Sequence, residues 1–178
     1  FMAINRLLES GEQVYWIAAA FSANGKTYPA GTGFIPARPE TRVKLERMAQ
    51  EIGLSFDAVA IKPEGAAFAL RPPRIALWDR AGGSVPSGWT RYVLEKFGFS
   101  HTVVTNDVLE QANFGQNFDV LILVDDATPA PLLALKNFLN QGGTILAVGD
   151  STKLAYGLDQ PVVDVLANLT RRDFFVPG

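Results

Sequence analysis

The clearest alternation of apolar and polar positions runs from Arg74 to Phe99, RIALWDRAGGSVPSGWTRYVLEKFGF. A short apolar run, Ile75 to Trp78, is closed by Asp79. A loop with Gly82, Gly83, Pro86 and Gly88 then leads into a segment that places Trp89, Val93, Leu94 and Phe97 on one helical face. That is a strand, a glycine loop and a helix, the opening unit of a parallel α/β layer. The order stays regular afterwards. The pattern predicts a helix over Ser87–Phe97, a strand over His101–Thr105, a short helix at Asp107–Gln111 and a strand over Asp119–Val124. The run VLILV in that last strand suits burial on both faces. A helix over Pro131–Asn140 ends at Gly142-Gly143, a strand covers Thr144–Val148, and Gly149-Asp150-Ser151 opens a further helix near Thr152–Tyr156. Strands and helices alternating at these lengths predict a parallel sheet with right-handed crossovers, flavodoxin-like in outline.

The first part of the chain is less regular. Ile4, Leu7 and Leu8 predict a helix over Ala3–Ser10 that stops at Gly11. Val14–Phe21 reads as a strand, Asn24-Gly25 as a turn, and Thr32–Ala37 as a second strand returning against the first in a hairpin-like pair. Pro39 opens a helix whose expected buried stripe is Val43, Leu45, Met48, Ala49 and Ile52, with Gly53 at its end. Phe56–Ile61 reads as extended. Three prolines and Gly65 fall between Lys62 and Pro73, which places a lobe boundary there. The expected organisation is therefore a small α+β lobe over residues 1–62, a linker over 63–73 and a flavodoxin-like α/β domain over 74–178. The apolar FFV near the C-terminus and a first helix entered in mid-stride read as a fragment with more chain on either side.

Composition narrows the function classes. The 178 residues carry a net charge of −2 with no basic block, which argues against a phosphate-neutralising nucleic-acid surface. No apolar run reaches the roughly 18 residues of a membrane span. There is no cysteine, which excludes disulfides, thiolate zinc sites and cysteine nucleophiles.

In open parallel sheets ligands collect beyond the carboxyl ends of the strands, where helix N-termini present free N–H groups. Three loops qualify. The first, Asp79 to Ser87, can cradle an anion with Ser84, Ser87 and backbone amides, or simply cap the helix; it lacks the spacings of nucleotide loops. The second contains Asp125 and Asp126, a carboxylate pair able to hold Mg²⁺ or accept a phosphoryl group, or to serve as turn and N-cap residues. With Asp79, Ser151 and Lys153 it partly resembles a receiver domain, whose acidic pair after the first strand and lysine after the fifth are not matched. The third, GGTILAVGDSTKLA, has the strand, tight turn and helix order of a nucleophile elbow. It is similar to the elbow of class I glutamine amidotransferase-like domains, with Gly149 at the cysteine position and Ser151 at the following glycine. Ser151 as a substitute nucleophile would need a base, and the single histidine, His101, begins a strand elsewhere. One histidine also cannot form the usual histidine-rich zinc site. Trp78 and Trp89 are expected in the core rather than as stacking platforms.

Several segments together resemble the region C-terminal to the catalytic domain of bacterial zinc carboxypeptidases, the carboxypeptidase A-like metallopeptidases. They are INRLL, TYPAGTGFIPA, PRIALWDRAGGSVPSGWTRYVLEKFGF, FDVLILVD and FFVPG, with GGSVPSGWTRYVLEKFGF the most specific. The resemblance implies a degenerate class I glutamine amidotransferase-like domain, which agrees with Gly149 at the elbow. It also implies a secreted or periplasmic parent chain whose peptidase domain holds zinc through an HxxE pair and a later histidine. None of those residues maps here, so no catalytic residue, metal ligand or cofactor is expected in this segment. The expected partner is the peptidase domain of the same chain, together with a peptide or polymer substrate. The alternative reading is a ligand-binding or phosphoacceptor domain built on Asp79, Asp125 and Asp126.

Overall fold

The computed structural model describes residues 1–124 and 130–163. Helix α1, Met2–Glu9, buries Ala3 and Leu7 one turn apart, and Leu7 packs with Val14 and Met48 at the centre of the first core. The expected strand over Val14–Phe21 is broken. Its first part is β1, Tyr15–Ile17, and Phe21 starts a separate strand, β2, Phe21–Ala23. The alanines between them have low strand propensity and little side chain to pack, so nothing holds the ladder together there. Asn24 and Gly25 both take left-handed backbone, φ 52° and 75°, the conformation a two-residue hairpin demands. They join β2 to β3, Lys26–Tyr28, rather than the two longer strands. The expected long-range pair still forms: β4, Gly33–Phe34, lies antiparallel to β1 with Tyr15 opposite Phe34.

Helix α2, Thr41–Ile52, ends where Gly53 turns left-handed at φ 68°. Its inward stripe is Thr41, Leu45, Met48 and Ile52, spaced at 4, 3 and 4 residues, whereas the expected Val43 is 67% exposed. Val43 stands about 200° around the helix from Thr41, which puts it on the outer face. Thr41 is buried because its Oγ1 donates to Glu12 Oε2 at 3.0 Å, while Lys44 Nζ reaches Glu12 Oε1 at 2.5 Å. Within the stretch read as a linker, residues 67–69 form β5, Ala67–Ala69, which pairs with the free side of β1.

The parallel sheet begins with β6, Ile75–Trp78, whose four residues are all buried. Helix α3, Val85–Lys96, starts two residues before the expected Ser87, because Pro86 fits the first turn and Ser84 supplies the cap. Then come β7, His101–Val104; α4, Asn106–Leu109; α5, Phe114–Asn117; β8, Val120–Leu123; α6, Leu132–Asn140; and β9, Thr144–Ala147. In place of the helix expected near Thr152–Tyr156, a 3₁₀ helix covers Gly149–Leu158. The strands lie in the order β7-β6-β8-β9, all parallel, with Ile75 opposite both His101 and Val120, and Val120 opposite Thr144. This is an α/β sheet flanked by helices.

Alternation along the strands builds a core on each face. Ala76, Trp78, Leu121 and Leu123 meet Phe114, Leu135, Phe138, Leu154 and Leu158. Ile75, Leu77, Ile122 and Val124 meet Leu94 of α3 and Phe99. Gly143 is needed where α6 turns into β9, since a Cβ there would lie 2.4 Å from Cζ of the Phe138 ring. The two parts of the chain touch at polar points. Asn5 Nδ2 donates to the Phe97 carbonyl at 2.9 Å, and Ser100 Oγ donates to Glu9 Oε1 at 2.8 Å. Arg71 and Arg74 both grip Asp119 at the start of β8.

Candidate functional site

The carboxyl ends of β6, β8 and β9 form the rim where the sequence places its candidates. Asp79 follows β6 directly, and its backbone N–H extends the ladder to the Val104 carbonyl at 2.9 Å. Its side chain turns inward and is 3% exposed. Oδ1 accepts from the Arg80 backbone N–H at 2.9 Å, and Oδ2 accepts from Arg91 Nη2 at 2.7 Å. Gly83 takes φ 82°, a left-handed turn that favours glycine, and a Cβ there would lie at ordinary contact distance from Oδ2. Asp79 is therefore committed to pinning the glycine loop onto α3.

Ser84 is the helix cap, accepting from the Ser87 N–H at 3.3 Å. Ser87 is fully buried; its Oγ and the Arg91 Nε, one helical turn apart, have no hydrogen-bond partner among the described residues. Gly149 takes φ 66° and opens the 3₁₀ helix, the tight turn that an elbow requires. Ser151 is also fully buried, and its Oγ donates to the Val124 carbonyl at 2.5 Å. The bond ties the turn after β9 to the end of β8 and points the hydroxyl into the protein. Lys153 pairs with Asp150 at 2.7 Å on the surface, and this bond holds the Asp150 carboxyl below its usual range. Asp125 and Asp126 lie outside the described residues.

His101 starts β7, at the amino end of the sheet, with its Nδ1 3.2 Å from the Phe99 carbonyl. Parallel strands put that end opposite the rim bearing Gly149 and Ser151, so the geometry separates serine from imidazole. Asp79, Ser84 and Ser87 are brought together as one capping loop, and Ser151 occupies a separate anchor at the ends of β8 and β9.

Two features were not expected from sequence. Arg91 neutralises Asp79 from twelve residues away, and the only hint is a cation one turn beyond Ser87 on the inward side of α3. The second is an exposed apolar stripe. Val85 is 74% exposed, Trp89 66%, Tyr92 53% and Val93 49%, so Trp89 is on the surface rather than in the core, whereas Trp78 is 2% exposed as expected. Trp89 and Tyr92 meet edge to face with ring centres 6.0 Å apart, and Lys96 Nζ lies 5.8 Å from the Tyr92 ring centre. Among the described residues no helix is long and apolar enough to cross a membrane. No known family model, curated protein or solved structure matches the chain.

Proposed function

We propose that this chain is a non-catalytic accessory domain of a secreted or periplasmic zinc carboxypeptidase, packing against the peptidase domain of the same chain through the outer face of α3. The observation that carries the reading is the stripe Val85, Trp89, Tyr92 and Val93. It is a cluster of large apolar side chains left on a helix whose other side already fills the sheet's core. Monomeric surfaces rarely leave such residues contiguous, and Trp and Tyr are the side chains that most often dominate binding energy. The same helix holds the most specific part of the resemblance, GGSVPSGWTRYVLEKFGF.

Two further points support it. The strand order β7-β6-β8-β9 is compatible with a flavodoxin-like or amidotransferase-like sheet, with Gly149 at the elbow. The rim's Asp79, Ser84 and Ser151 spend their side chains on structural bonds. The zinc implied by the resemblance belongs to the parent's peptidase domain. Among the described residues here, no three His, Asp or Glu side chains gather as a ligand set.

The test is made in the full-length chain. Zinc-dependent release of a C-terminal residue is expected, and Trp89→Asp with Tyr92→Asp is expected to loosen the docked domains, read as faster proteolytic separation. An active-site fluorophosphonate that labels the protein, and fails to label Ser151→Ala, would overturn the reading in favour of a serine hydrolase.

A further inference from the structure

A second surface owes nothing to α3 or the rim. Between α4, α5 and α6 lies a half-open cavity of about 280 Å³. Its floor is Leu109, Phe114 and Phe138, each no more than 4% exposed, with the two phenyl rings packed edge to face at 5.1 Å. Around the mouth stand the carboxamides of Gln111, Asn137 and Gln141 and the carboxylate of Glu110. Among the described residues, none of these four side chains has a hydrogen bond or ion pair to another side chain or to the backbone. Gln141 is placed by α5: a Cβ on Gly115 would fall 2.1 Å from its Oε1, so the amide lies directly on that glycine's backbone.

We propose that this cavity binds an extended peptide segment, taking one apolar side chain onto the phenyl floor and the flanking peptide groups onto the three carboxamides. A carboxamide both donates and accepts, which matches the N–H and C=O of a peptide group. An apolar floor with a few polar groups around it is the usual make-up of a ligand site, and the volume falls just short of the range for drug-sized ligands, which suits a single side chain and the peptide groups beside it. Among the described residues Glu110 is the single charge lining the cavity, so phosphorylated or acidic ligands are disfavoured and a basic residue beside the anchor is preferred.

The test uses acetyl-Leu-Lys-amide titrated into the ¹⁵N-labelled chain, reading the side-chain NH₂ signals of Gln111, Asn137 and Gln141. Saturable shifts of these signals are expected. Acetyl-Leu-Glu-amide should bind about threefold more weakly, the size of an exposed charge contact. Gly115→Ala displaces the Gln141 amide and should weaken binding about fivefold, the worth of a hydrogen bond or two, with backbone signal dispersion unchanged. Gln141→Leu serves the same purpose without touching α5 and should weaken binding as much. Absence of saturable shifts in these amides, or equal affinity in both variants and the parent, overturns the proposal. So does binding of N-acetylglucosamine in place of the peptide. Because α3 takes no part, Trp89→Asp leaves the titration unchanged, which separates failure here from failure of the accessory-domain reading.

Discussion

Asp119 accepts from Arg71 Nη1 at 2.6 Å, Arg74 Nη2 at 2.8 Å and the Arg74 backbone N–H at 2.9 Å. The bonds to Arg71 and then Arg74 outweigh its partial burial and hold its carboxyl far below the usual carboxylate range. A group whose folded pKa is depressed stabilises fully above its unfolded value, about 4, and loses that contribution as pH falls through the folded one. Glu12 acts in the same direction: its bond to Lys44 outweighs burial and lowers its pKa. Stability should therefore hold from neutral pH to about 5 and fall progressively below it. Asp119→Asn should cost about 1–2 kcal/mol at pH 7, allowing for the exposed arginines, and should flatten the acid limb of a urea-denaturation series. Lys44→Met leaves the 3% exposed Glu12 carboxylate without its cation and should cost about 2–3 kcal/mol. The sequence marks Asp79 and Ser151 correctly as residues at strand ends, but position alone does not reveal whether a side chain faces solvent or its own backbone. For Asp79 both a ligand role and a structural one were open from sequence; the folded chain shows its bond to Arg91, which α3 brings within 2.7 Å from twelve residues away.

At the scale of elements, α3 shows what periodicity can and cannot tell. Val85, Trp89, Val93 and Phe97 recur every four residues, a genuine stripe, yet the side that meets the sheet carries Ser87 and Leu94. A hydrophobic stripe says that a helix has an apolar face; it does not say whose surface that face will meet. Trp89→Ala should accordingly change stability by no more than about 0.5 kcal/mol, against about 3–5 kcal/mol for Trp78→Ala, measured by chemical denaturation. A large loss at Trp89 would place that face inside the domain's own core. Gly143→Ala forces a methyl against the rigid Phe138 ring and should cost about 1–3 kcal/mol. The Gly142-Gly143 stop was legible as a helix end, but the ring that makes the second glycine obligatory was not. In the first lobe, Asn24-Gly25 was legible as a turn; which strands it joined was not, because three alanines ended β1 before the turn was reached.

For the whole molecule, the alternation from Arg74 onward was enough to foresee a parallel sheet with helices on both sides, since each apolar run was short, bounded and followed by a helical stripe. The strand β5 escaped notice because Ala67–Ala69 sits among prolines and carries only one large side chain, and its pairing with β1 is a non-local event. Among the described residues, the margin of the sheet formed by β9 is uncovered. Among the described residues β9 has one neighbour, β8, and Leu146 is 51% and Val148 50% exposed on the face that α3 shares. The strand Thr144–Ala147 carries no charge and no proline on that border. Such a margin is a template: heated or concentrated molecules can add to it strand by strand, and growth from it would be self-propagating. Leu146→Lys should raise the temperature at which turbidity sets in while leaving the unfolding midpoint within a degree or two, because it disturbs the seed and spares the fold.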